Sequence, residues 1–338
     1  MKTNYSLNKY RKRNTKVIRK VASGSIGANN SGKPILIAII VFILAFLLFF
    51  ILNDRFFKIE GIPTWDDLYQ GAGLSSPATA VEGDVSVHFI DVGQGDCELI
   101  KTRNKAVLID CGEKENYADV ISYIKSQDIK YIDYVIVTHP HSDHAGGMSF
   151  ILDEFDIGTV IMPKIQESVI PTTSTYIRLL KSIDKKNITV EYADAGKEYA
   201  IDDVKMTVLS PVKDYEDLNN YSVAVKLVHG ENSFLFTGDI EKEAENDILE
   251  KGCDVSADVL KVAHHGSSTS SQKKFINAVS PHYAVIEVGA PNSYNHPNKE
   301  TVQRLENKDI FIYRTDIYGN IVFVSDGKTF NILTEKEP

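Results

Sequence analysis

Ten consecutive residues, Thr138-His139-Pro140-His141-Ser142-Asp143-His144-Ala145-Gly146-Gly147, bring three histidines and a carboxylate into a span too short to form one helix face. Before them, Tyr134-Val135-Ile136-Val137 is a β-branched apolar run that reads as a buried strand, and Gly146-Gly147 gives a tight turn into a helix. The cluster is therefore expected on a loop at the C-terminal end of a strand, where open α/β sheets tend to hold ligands. In an extended loop His139 and His141 point one way and Asp143 with His144 another. One hexapeptide can then offer nitrogen to one metal and a mixed oxygen and nitrogen set to a second. This spacing predicts a paired-metal site, and the rest of the chain has to frame it.

The N-terminal part is of another kind. Residues 1–33 hold nine Lys and Arg and no acidic residue, which reads as a disordered basic tail. From Ile35 to Leu52 no charged or polar side chain occurs, and about 27 Å of helix would match the hydrocarbon thickness of a bilayer. Residues 34–52 are therefore expected to form one transmembrane helix. A cleaved signal peptide fits less well, because its apolar region is usually shorter and Asn53-Asp54-Arg55-Phe56-Phe57 offers no small-residue cleavage site. With all the basic residues of the tail on one side, the positive-inside rule puts the N-terminus in the cytoplasm of a single-pass plasma-membrane protein. Everything beyond Leu52 is then extracytoplasmic. Residues 53–83, ending in small residues with Gly and Pro, read as a flexible linker. Cys97, Cys111 and Cys253 are an odd set without CxxC spacing and suggest small buried residues rather than a disulfide framework.

The remaining residues, 84–338, read as one folded domain. Val85–Val92 alternates as a strand, turns through Gly93-Gln94-Gly95-Asp96, and is followed by strands near 97–100 and 106–110. Helical spacing marks 117–126, 147–154, 173–185, 241–251, 271–279 and 298–307. Strands are expected near 157–162, 204–209, 223–229, 233–237, 258–263, 283–288, 310–313 and 320–324. Mixed strands and helices in two sheet-rich halves suit a four-layer sandwich.

The pattern His-x-His-x-Asp-His between a hydrophobic strand and Gly-Gly resembles the metal-binding signature of the metallo-β-lactamase superfamily. The resemblance extends through an ordered series: Phe89-Ile90-Asp91-Val92-Gly93-Gln94-Gly95-Asp96, Leu108-Ile109-Asp110, Phe236-Thr237-Gly238-Asp239, Leu260-Lys261-Val262-Ala263-His264-His265-Gly266-Ser267-Ser268, Asn295-His296-Pro297 and Tyr313-Arg314-Thr315-Asp316. Together these look like the C-terminal hydrolase domain of ComEC-family competence proteins. The large polytopic channel domain that accompanies it there is not in this series, and a single span would not itself form that channel. The resemblance implies a mixed α/β (α+β) fold, a metallo-β-lactamase-like αββα sandwich, and two divalent ions, Zn²⁺ or Mn²⁺. His139 and His141 would hold one ion, Asp143 and His144 the other, and Asp239 would bridge them. Read alone, Asp239 before the helical stretch 240–251 would be a helix cap; within this series it reads as a ligand.

The His264-His265 pair would supply the last ligand. Neighbours leaving a strand point oppositely, so one would bind and the other touch substrate or donate a proton. His265 is the preferred ligand and His264 the preferred catalytic residue. Lys261 could assist protonation of the leaving group or be an exposed strand residue. Asn220 and His296 are candidate substrate contacts, and Asp110 is read as ordering the metal loop. Many enzymes of the fold carry a further histidine before the bridging aspartate. Here Asn219-Asn220-Tyr221-Ser222 has none, which leaves the first site to water or an amide oxygen and makes Mn²⁺ plausible. Metal-activated water would then cleave an ester, with a phosphodiester the best match to paired cations.

Charge bears on the substrate. Outside the basic tail, 28 Lys and Arg face 46 Asp and Glu, a formal balance of −18, so the domain has little general attraction for DNA. Three readings follow: a surface nuclease or phosphodiesterase acting on extracellular DNA, a hydrolase of a cell-envelope phosphodiester or a lactone, or a binding protein that keeps the fold. A channel partner is not specified.

Overall fold

Apart from one residue, Phe49, the computed structural model describes residues 84–338. The basic tail, the apolar span and the linker lie outside the described residues. Among the described residues no helix is long and apolar enough to cross a membrane.

Two sheets form the centre. The first has eight strands in the spatial order β15 (Phe330–Thr334), β14 (Ile321–Ser325), β1 (Val85–Phe89), β2 (Glu98–Thr102), β3 (Ala106–Ile109), β4 (Tyr131–Ile136), β5 (Asp156–Met162) and β6 (Thr189–Tyr192). The second has seven: β13 (Phe311–Arg314), β12 (Tyr283–Ile286), β11 (Val259–Lys261), β10 (Asn232–Phe236), β9 (Val225–His229), β8 (Val204–Val208) and β7 (Glu198–Ile201). Both are mixed, with parallel pairing from β3 to β6 and from β10 to β13.

Strand periodicity explains the layers. In β1, Val85, Val87 and Phe89 face the second sheet and pack in one apolar cluster with Val225, Leu227, Phe234 and Phe236. The first sheet's other face, including Leu99, Leu108 and Val135, packs on α1 (Tyr117–Ser126), α3 (Met148–Glu154) and α4 (Ser174–Lys186). Leu235 and Leu260 of the second sheet pack on α5 (Lys242–Glu250) and α6 (Lys273–Val279), and Ala284 and Ile286 on α7 (Lys299–Glu306). The result is helix, sheet, sheet, helix, as the sequence suggested. Strands β6, β7 and β15 go beyond that reading. They are short, at or near sheet edges, and rich in exposed polar residues, so they carry little apolar alternation.

His88 shows how a histidine is kept in the core. It is fully buried, with Nδ1 hydrogen-bonded to the Tyr123 hydroxyl and Nε2 to Ser86 Oγ, both at 2.8 Å. Burial, with a contribution from Lys101, lowers its pKa to about 3. The unfolded chain takes up that proton below about pH 6.5, while the folded one does not until about pH 3. Stability should therefore fall as pH drops through this window, by up to about 1.4 kcal/mol per pH unit. Urea unfolding of His88→Gln should show a shallower acid slope than the native chain; equal slopes would refute the assignment.

Candidate metal centre

The loops that follow β4 and β11 at their C-terminal ends converge on one carboxylate, Asp239, on the loop after β10. Asp239 Oδ2 lies 3.2 Å from His144 Nε2, 3.9 Å from His139 Nε2 and 3.7 Å from His264 Nε2, while Oδ1 lies 3.7 Å from His265 Nε2. Its backbone is pinned, since Asp239 N–H donates to Ser222 Oγ at 3.0 Å.

The first loop is less extended than its sequence suggested, because Ser142–Ala145 forms the single helical turn α2. His139 and His141 precede it, with His139 Nε2 and His141 Nδ1 facing each other at 2.9 Å. Asp143 and His144 stand on the turn itself. Gly95 is needed to seat it: a β-carbon there would meet the Asp143 carbonyl oxygen at 2.3 Å. Asp110 orders the loop from below. Its Oδ1 accepts from Thr138 N–H at 2.9 Å, and its Oδ2 from the Thr138 hydroxyl and from His144 Nδ1 at 2.8 Å. With Nδ1 engaged, His144 turns Nε2 inward, where it is buried without a hydrogen-bond partner.

The histidine pair departs from expectation. Both residues take left-handed backbone conformations, with φ of 52° and 51°. This is a strained geometry for a residue with a β-carbon, and it turns both rings toward Asp239 instead of apart. His264 N–H donates to the Gly238 carbonyl at 3.0 Å, and Ser267 N–H to the His264 carbonyl at 2.8 Å. His265 is 1% exposed; its Nδ1 donates to the Glu287 carbonyl at 2.9 Å, leaving Nε2 at 3.2 Å from Asp143 Oδ2. His264 is more open, with Nδ1 3.3 Å from Glu241 Oε1.

Electrostatics mark the cluster as a cation site. Burial opposes ionisation of Asp239, but the His144 and His265 rings outweigh it and hold the carboxyl well below the usual range. Burial likewise opposes charge on His144, yet Asp239 and Asp143 raise it well above an ordinary histidine. Asp239 and Asp96 bring His265 up to about 10 against its burial. The orphaned His144 Nε2 and Asp239 Oδ1, with Asp143 beside them, suit a divalent ion. Four ligand atoms, from Asp96, His144, Asp239 and His265, lie within 4.8 Å of one another. Asp96 is engaged through one oxygen, since its Oδ2 accepts from Lys261 Nζ at 2.6 Å, while its Oδ1 is buried without a hydrogen-bond partner, 3.2 Å from His265 Nδ1.

Lys261 is neither exposed nor in the cavity. It is completely buried, with Nζ also 4.0 Å from Glu287 Oε2, and Asp96 and Glu287 raise its pKa against burial. A proton donor to a leaving group must reach it, and Lys261 does not. Asn220 does not line the cavity: its Oδ1 accepts from Glu241 N–H at 3.0 Å and Ala244 N–H at 3.3 Å, capping the start of α5. Its neighbour Asn219 lines the cavity and has a buried Oδ1 without a partner.

That cavity, about 480 Å³, opens over Asp239 and is lined by His141, Asp143, His264, His265 and His296, among others, with no Lys or Arg on its wall among the described residues. Glu287 escaped sequence reasoning, and Ser222, Asp96 and Asn219 entered it only within motifs, without the roles they take here. For Asp96 and Glu287 a signal existed, because Glu98, Lys261 and Glu287 are charges inside apolar strand runs, the mark of buried pairing. Asp110→Asn would weaken the hold on His144 and should cost about 10- to 100-fold in metal affinity, read by competition with a chelating indicator. Unchanged affinity would remove Asp110 from the site.

The profile of the Metallo-beta-lactamase superfamily matches residues 90–289. ComE operon protein 3 of Bacillus subtilis (strain 168) is 31% identical over 266 residues, 73% of this chain and 34% of that protein. Competence protein ComA of Neisseria gonorrhoeae is 28% identical, over 78% of this chain and 36% of its own length. The chain thus spans about a third of the length of these curated relatives. Among solved structures, a mutant of CmlA beta-hydroxylase superposes with a TM-score of 0.50 at 14% identity, covering 78% of this chain and 60% of that one.

Proposed function

Because the chain belongs to the metallo-beta-lactamase superfamily, with ComEC-family competence proteins among its relatives, we propose that this metal-dependent hydrolase cleaves phosphodiesters. The observation that carries the reading is the Asp239 carboxylate at the focus of four histidines, on the floor of an open cavity whose wall, among the described residues, has no Lys or Arg. A phosphodiester anion entering there finds its positive charge only at the centre.

His139 and His141 would hold one divalent ion, Zn²⁺ or Mn²⁺, and Asp143, His144 and His265 the second, with Asp239 between them. The amide oxygen of Asn219 is the candidate to complete the first position. When bound, such ions supply activated water and neutralise charge that builds on the phosphoryl oxygens. The chain's own groups do the rest. Asp110 and the Glu287 carbonyl fix the tautomers of His144 and His265. His264, at the cavity wall with Nδ1 3.3 Å from Glu241 Oε1, is the candidate to give a proton to the departing oxygen. The basic tail and apolar span support anchoring in the plasma membrane with the catalytic domain extracytoplasmic, where extracellular DNA or an envelope phosphodiester would be the substrate.

The test is to load the full-length chain with Zn²⁺ or Mn²⁺ and assay bis(p-nitrophenyl) phosphate beside single-stranded DNA. Cleavage of both is expected. Cleavage of the small diester alone would redirect the substrate to an envelope or small-molecule diester, and hydrolysis of neither by metal-loaded protein would overturn the proposal.

A further inference from the structure

The cavity's outer rim carries rings that no packing demand explains. Tyr294 is 63% exposed, yet it lines the cavity and stacks on His296 with centroids 5.8 Å apart and planes 24° from parallel. His296 in turn stacks on His265 at 6.3 Å and 29°. Three near-parallel rings thus run from the metal centre to solvent, at offset-stacking separations, and the last offers a free π-face.

The loop holding them is built to keep that face in place. Asn292 spends its whole side-chain amide on it: Nδ2 donates to the Gly289 and His296 carbonyls, both at 2.7 Å, and Oδ1 accepts from the Tyr294 and His296 N–H groups, both at 3.1 Å. A mobile surface loop would not need four bonds from one side chain. An exposed aromatic held rigidly beside a catalytic cavity is pre-organised for a flat ligand.

We propose that Tyr294, backed by His296, is a stacking subsite for one nucleobase of a single-stranded nucleic acid whose phosphodiester lies over Asp239. The proposal rests on the phosphodiesterase reading and narrows its substrate. Among the described residues the cavity wall holds no Lys or Arg to track a duplex backbone. Stacking on an aromatic face adds affinity that comes from the base and not from the backbone charge, and it accepts every base. An unpaired base can present its face to Tyr294; a base inside a duplex cannot.

The experiment uses the full-length, metal-loaded chain and a phosphorothioate-linked single strand carrying 2-aminopurine, whose fluorescence is quenched when it stacks. Quenching is expected with the native chain and with Tyr294→Phe, and should be lost in Tyr294→Ala. In cleavage of an ordinary oligonucleotide, Tyr294→Ala should raise KM about tenfold with a much smaller change in kcat. Asn292→Ala, which frees the loop, should move KM the same way. Tyr294 is exposed, so its replacement leaves folding intact, to be checked by urea unfolding. Equal quenching in Tyr294→Ala, or equally tight binding of a strand abasic at the probe position, would overturn the subsite. Cleavage that ignores Tyr294 would sink the stacking subsite and spare the phosphodiesterase reading, whereas quenching through Tyr294 without cleavage would do the reverse.

Discussion

Asp239→Asn should abolish hydrolysis and leave the fold in place. The substitution keeps the shape of the side chain and its backbone bond to Ser222 but removes the charge on which four histidines converge. An amide nitrogen facing His144 Nε2 cannot bind a cation, and the amide oxygen that remains is neutral and a weaker donor than a carboxylate. Loss of a supporting residue already costs metal sites roughly 10- to 100-fold, and loss of a central ligand should exceed that. We expect activity on bis(p-nitrophenyl) phosphate to fall by more than about 100-fold and bound metal per chain to drop, with the urea midpoint near that of the metal-free native chain. His139→Ala should act in the same direction. A variant that keeps its metal and turns over within tenfold of native would mean that Asp239 is not the bridging group.

Lys261→Met should be the most destabilising single change beneath the centre. The ammonium is sealed against Asp96, and its removal takes the nearest cation from that buried carboxylate, which keeps only the His265 and His144 rings at 3.2 and 3.8 Å and stands beside Glu98 and Glu287. These two acids are already strained electrostatically: burial, then the neighbouring carboxylates, raise the Glu98 pKa and take Glu287 up to about 8. Breaking one side of a buried ion pair costs about 3–5 kcal/mol, which for a domain of this size lowers Tm by on the order of 10 °C. Removing both charges together, Lys261→Met with Asp96→Asn, should recover much of the loss, because the penalty comes from the abandoned charge more than from the lost attraction. Calorimetry of the two variants decides it. A Lys261→Met protein as stable as native, or a double variant worse than the single, would show that the pair does not carry this burden.

How much of this was readable beforehand follows from what each signal is made of. The αββα layering was legible because strand and helix periods repeat over several residues, as in Val85, Val87 and Phe89. Strands β6, β7 and β15 were not, since a four- or five-residue edge strand with one wet face leaves no pattern to count. The residues of the centre were legible because His139, His141, Asp143 and His144 crowd a local motif, and Asp239 follows an apolar strand in the same way. Their spatial relation to one another was not.

The sequence by itself determined which residue types gather at strand ends and which segments are apolar, because both are properties of neighbours in the chain. Only the tertiary structure decided three further matters. The left-handed backbone at His264 and His265 turns both rings to one carboxylate. Lys261 is withdrawn beneath the centre as the partner of Asp96, 165 residues away in the chain. Asn220 becomes a helix cap while Tyr294 is held over the cavity. The physical reason is that the Lys261–Asp96 pair, the Asn220 cap and the stack of His296 on His265 join groups distant in sequence, while the local turns at His264-His265 and Asn292–His296 gain their meaning only from the carboxylate and the cavity that folding brings beside them.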